Sequence, residues 1–148
     1  MHHMLISWIK LSGEERLAMK TIEVVAAIIK QDDKVFATQR GYGDYAGGWE
    51  FPGGKVEPHE APEDAIVREI HEELEATIAV DKFVTTVDWD YPTFHLTMHC
   101  YLAHVADGEL KLLEHSAAKW VGEDDIDSVD WLPADVLVVN AIKEQGII

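Results

Sequence analysis

Apolar, β-branched residues dominate Thr21 to Ile29, and Gln31-Asp32-Asp33 supplies a polar turn after them. Val35 to Thr38 returns as a second apolar run, so the pair predicts a β-hairpin. A glycine-rich stretch follows (Gly41, Gly43, Gly47, Gly48), leading into Trp49-Glu50-Phe51-Pro52-Gly53-Gly54. Pro62 is placed to open a helix, with Glu63 and Asp64 in the first turn, where negative charge suits the helix dipole. Ile66, Val67, Ile70 and Leu74 then form an apolar stripe. Strand-like runs recur at residues 77–80, 83–89, 94–105 and 118–121, and Pro133 precedes a second helix reaching towards Gly146. The pattern predicts one α+β domain, with a sheet and two principal helices.

A chain of 148 residues supports one such core. Lys and Arg total 12 against 28 Asp and Glu, a formal charge of −16. That surface should repel a nucleic-acid backbone or an anionic membrane, so neither polymeric nucleic acid nor membrane is an expected partner. A small anionic substrate is compatible with it only if bound cations reverse the local field. The single cysteine, Cys100, fits a reducing, cytoplasmic setting. Residues 1–18 are near neutral, carry Leu5, Ile6, Trp8, Ile9 and Leu11, and read as a non-catalytic extension before a domain over 19–148.

Chemistry concentrates in Arg68-Glu69-Ile70-His71-Glu72-Glu73. On a helix, Glu69, Glu72 and Glu73 fall within one arc beside the apolar stripe. Three carboxylates so spaced repel one another by a few tenths of a kcal/mol per pair. They are either a solvated acidic face or a site for a hard cation such as Mg²⁺, which takes carboxylate, water and phosphate oxygens.

The flanks separate the two. Gly54, five residues, Glu60, seven residues and then Arg68-Glu69-Ile70-His71-Glu72-Glu73 closely resembles the box of the Nudix hydrolases. Seven charged, glycine and aliphatic positions match over twenty residues. One end departs: Glu75 stands where the family has glycine, and Ala76 where it has a bulkier aliphatic residue. A side chain in the left-handed conformation usual at that glycine costs roughly 1 kcal/mol.

The likeness spans about residues 22–142. Val24-Val25-Ala26-Ala27-Ile28-Ile29, Trp49-Glu50-Phe51 and Gly53-Gly54-Lys55-Val56-Glu57-Pro58 are similar to the MutT-type branch, its bacterial CTP pyrophosphohydrolases in particular. The resemblance implies an α/β/α sandwich around a mixed β-sheet. It also implies metal-dependent cleavage of a nucleoside triphosphate to monophosphate and pyrophosphate, with Mg²⁺ as the expected ion and Mn²⁺ as the alternative. The metal ligands it implies are Glu69, Glu72, Glu73, the Gly53 carbonyl and Glu114, which also serves as a base. Arg68 is expected to orient the carboxylates, and Arg40 and Lys55 to touch phosphates. Phe51, Tyr91 and Phe94 match aromatic positions near the base, with core packing as the competing role. Asp135 corresponds to the start of the last helix, where enzymes that clear oxidised guanine nucleotides carry Asn; a helix N-cap competes with base recognition there. An ionised Asp only accepts hydrogen bonds and suits cytosine N4, whereas a protonated one leaves oxidised purines open.

Other readings are weaker. His95, His99, Cys100 and His104 invite zinc, but a strand turns His104 away from His95 and His99. No Walker loop, nucleophile elbow or dinucleotide fingerprint is present. The sequence points to a cytidine-type or damaged-nucleotide pyrophosphohydrolase, as monomer or homodimer. An ADP-ribose hydrolase is its rival; that branch usually carries extra sequence downstream of the box. A silent nucleotide sensor would have no need of the intact box glutamates, and a Ca²⁺-binding structural helix would give metal-dependent folding with no turnover.

Overall fold

A computed structural model describes residues 20–113 and 115–148. The expectations for the extension 1–18 and for the Glu114 side chain lie outside the described residues. Strand β1 runs Lys20–Gln31 and β2 runs Lys34–Arg40. They pair antiparallel at Lys30–Val35 and Gln31–Lys34 across the Asp32-Asp33 turn. Asp32 takes φ 55° there, a conformation that Asp tolerates better than most residues. Two short strands follow, β3 (Trp49–Glu50) and β4 (Gly53–Lys55), then helix α1 (Pro62–Leu74). Strands β5 (Thr77–Tyr91), β6 (Phe94–Asp107) and β7 (His115–Gly122) lead to a short 3₁₀ turn and helix α2 (Pro133–Glu144).

The seven strands form one mixed sheet in the order β3-β2-β1-β6-β5, with β4 added against β1 and β7 against β2. Its central pair, β1 and β6, is parallel over ten positions, and the other pairs are antiparallel. Both faces of β1 are covered, which explains its unbroken apolar run. Val25, Ala27 and Ile29 pack with Ala65, Ile66, Ile70 and Leu74 of α1. Ala26 and Ile28 face the opposite layer, with Ala134, Val138, Val139 and Ile142 of α2. The architecture is an α/β/α sandwich around a mixed sheet.

Some boundaries differ from the sequence pattern. Residues 77–80 and 83–89 belong to one strand, because register shifts around Asp81 and Val84 absorb the polar interruption as bulges. Strands β3 and β4 arise in a stretch that carries Pro52 and two glycines. Their pairing with β2 and β1 overrides the local bias.

Candidate active site

The loop Gly53–Lys55 enters the sheet beside β1, with Gly54 opposite Val25 and Gly53 opposite Ala26. A Cβ on Gly53 would lie 1.8 Å from the Val25 carbonyl oxygen, and one on Gly54 would lie 2.3 Å from Glu69 Oε2. Gly53 therefore lets the loop pack against β1, and Gly54 lets the Glu69 carboxylate press directly against the chain. Glu69 is completely buried, and its Oε2 has no hydrogen-bond partner. Burial pushes its carboxyl pKa up, opposed by the hydrogen bond from Arg68.

Arg68 ties the box together. Its Nε and Nη2 donate to Glu60 Oε2 and Oε1, both at 2.8 Å. Its Nη1 donates to Glu69 Oε1 at 2.9 Å and to Glu72 Oε2 at 3.4 Å, and Nη2 also reaches the Lys55 carbonyl at 3.0 Å. The fork suits bidentate carboxylate recognition. Arg68 and the backbone N–H of Glu57 together hold the Glu60 pKa down at about 2.

A solvated acidic face is ruled out for two of the three helix carboxylates. Glu69 and Glu73 are buried on the apolar side of α1, and only Glu72 is well exposed. Burying a carboxylate is costly unless a partner or cation compensates. Glu73 Oε2 lies 4.0 Å from Nε2 of His115, which is also buried. Among the described residues no three His, Cys, Asp or Glu side chains converge as a complete metal shell. The orphaned Glu69 oxygen and the hard-oxygen donor set nevertheless fit a divalent cation.

Helix α1 ends at Glu75, which adopts φ 55° and ψ 26° while its N–H bonds to the His71 carbonyl. The left-handed cap is thus kept without glycine. The loop after β6 covers it, with the Lys111 N–H donating to the Leu74 carbonyl at 2.7 Å.

A second cluster lies on the α2 side of the sheet. Arg40 is buried and forms a two-point ion pair with Glu50, at 2.8 and 3.2 Å. Phe51 stacks on Trp131 with ring centres 4.6 Å apart, and Tyr91 stacks on Phe94 at 5.0 Å. Phe51, Tyr91 and Phe94 are all within the buried core on this side. Asp135 Oδ1 accepts from the Phe51 N–H at 3.0 Å, across 84 residues of chain. The N-cap of α2 is Leu132, so Asp135 is not the cap that its position allowed. Burial, and next the Glu50 charge, raise its pKa well above the ordinary carboxyl range.

Arg68, Glu69, Glu72 and Glu73 thus lie on the middle and last turns of α1, with the Lys55 carbonyl against Arg68 and Gly53 one residue before the Gly54 that meets Glu69. Arg40, Phe51, Tyr91, Phe94 and Asp135 are gathered in the second cluster. Glu50, Trp131 and His115 join these groups without having been singled out. Glu50 and His115 adjoin residues that were, and Trp131 lies next to the α2 opening. His95, His99 and His104 are engaged elsewhere, beside Asp90 and Asp88, Glu23, and Asp81 respectively.

The NUDIX domain family matches residues 19–142. The chain belongs to the Nudix family. It is 40% identical over 126 residues to a CTP pyrophosphohydrolase of Escherichia coli, covering 83% of this chain and 92% of that protein. It is 30% identical over 127 residues to the E. coli 8-oxo-dGTP diphosphatase, covering 84% and 98%. The solution structure of the E. coli ORF135 protein superposes with a TM-score of 0.74 at 38% identity, covering 86% of this chain and 91% of that one. Departing from the Nudix box at Glu75 has therefore not displaced the Nudix fold. No helix among the described residues is long and apolar enough to cross a membrane.

Proposed function

We propose that this protein is a divalent-metal-dependent nucleoside triphosphate pyrophosphohydrolase that converts a nucleotide and water into a monophosphate and pyrophosphate. The observation that carries the reading is the buried Glu69 carboxylate. It is pressed on Gly54, with one oxygen held by Arg68 and the other unpartnered. Glu69, Glu72, Glu73, the Gly53 carbonyl and Glu114 would hold the cation, Mg²⁺ or alternatively Mn²⁺. Bound cations would neutralise the roughly four charges of a triphosphate, polarise its phosphoryl oxygens and acidify bound water. Arg68 keeps Glu69 and Glu72 aimed while Glu60 anchors its own fork. Glu114 accepts the proton of the attacking water. Arg40 and Lys55 supply positive charge for phosphates.

The substrate class is a cytidine-type or damaged nucleotide, cleared from the cytoplasmic pool. Similarity to the CTP and 8-oxo-dGTP enzymes supports that range. Steady-state kinetics over CTP, dCTP, 5-methyl-dCTP, 8-oxo-dGTP, dATP and ADP-ribose tests this directly. The expected result is highest kcat/KM for a cytidine or oxidised nucleotide. Preference for ADP-ribose would overturn the substrate class.

A further inference from the structure

Strand β7 carries one residue more than β2 can pair. Lys34 through Gln39 pair with Gly122 through Ala117 in unbroken register, but Arg40 pairs with His115, leaving Ser116 over. The Ser116 hydroxyl donates to Gln39 Oε1 at 3.1 Å across this bulge. One inserted residue reverses the face to which the neighbouring side chain points. Ala118 and Trp120 pack in the α1 layer, whereas Val121 packs in the α2 layer. Unbroken alternation would send His115 to the side of Val121. The bulge instead directs it to α1, where its side chain is 1% exposed and Nε2 stands 4.0 Å from Glu73 Oε2.

We propose that His115 is a positioning residue of the metal site, turned inward by the Ser116 bulge to fix the Glu73 carboxylate against β7. The inference rests on the reading of Glu73 as a cation ligand. Glu73 sits on α1 and His115 opens β7, so their 4.0 Å contact ties the helix that carries the box to the neighbouring strand. Groups that orient a metal ligand tune affinity without touching the ion.

The test measures Mn²⁺ binding to the full chain by electron paramagnetic resonance of the free ion. His115→Leu keeps buried volume and removes the polar contact; it should weaken binding about 10- to 100-fold. His115→Gln, which restores a polar group, should fall between Leu and wild type. In a Glu73→Gln background, His115→Leu should add no further loss, because it acts through Glu73. Wild-type affinity in His115→Leu, or its full effect in the Glu73→Gln background, would overturn the proposal. If His115→Leu fails to fold, His115→Met takes its place, and wild-type affinity in that variant overturns the proposal likewise. Unchanged affinity in a parallel Glu72→Gln variant would instead overturn the metal-site reading beneath it.

Discussion

Both carboxylate oxygens of Glu60 accept a hydrogen bond from Arg68 at 2.8 Å, and that grip leaves Nη1 of Arg68 free to hold Glu69 at 2.9 Å. Glu60 therefore acts on the site at one remove. Lysine in place of Arg68 would keep the charge but lose the planar fork. Arg68→Lys should lower kcat/KM about 10- to 100-fold with the same products, as misaligned ligands weaken metal binding. Kinetics at an Mg²⁺ concentration that only part-fills the wild-type site check it, and wild-type kcat/KM there would show that the fork is dispensable.

The same pair sets an acid limit. The folded-state pKa of Glu60, about 2, lies below the unfolded value of about 4.3. Its stabilising contribution is therefore intact above pH 4.3 and is lost as pH falls through 2. Glu60→Gln should flatten the decline in stability across that window. Denaturant midpoints at a series of acid pH values decide it; parallel curves for both proteins would refute the linkage.

Glu75 offers a gain in stability. Its φ of 55° is strained for a side chain, and its ion pair with Lys111 at 3.4 Å is exposed and worth little. Glu75→Gly should stabilise the protein by about 1 kcal/mol, raising Tm by roughly 2–4 °C. A melt at or below the wild-type temperature would show that the cap is not strained.

The hairpin, both helices and the box were legible because each is a local pattern: an apolar run closed by Asp32-Asp33, a proline at N1, a stripe at helical spacing. What escaped depends on distant pairing. The Phe51–Asp135 hydrogen bond spans 84 residues, and nothing near Asp135 in the chain announces that its carboxyl is buried beneath Phe51. The Ser116 bulge is equally silent, since only the register with β2 shows that His115 has changed faces. Asp81-Lys82 resembles a turn, yet β6 pairs across it and keeps β5 continuous.

Asp135 carries a pH signature opposite to that of Glu60. Its folded pKa is raised above the unfolded value of about 3.9, chiefly by burial. Its contribution is intact below about pH 4 and is lost as pH rises through the folded pKa. Asp135→Asn keeps an acceptor for the Phe51 N–H and cannot ionise. The variant should therefore gain stability relative to wild type on moving from pH 4 to pH 8. Urea unfolding at the two pH values measures this, and an unchanged difference would mean that Asp135 is not buried as an acid.

Hydrolysis driven by the box carboxylates would release pyrophosphate. Phosphorus NMR of CTP incubated with Mg²⁺ and the full chain tests it most directly, with Glu72→Gln run in parallel. CMP and pyrophosphate are expected from the wild type, with release reduced by orders of magnitude in the variant. CDP and orthophosphate, no turnover, or equal rates in the two proteins would contradict it.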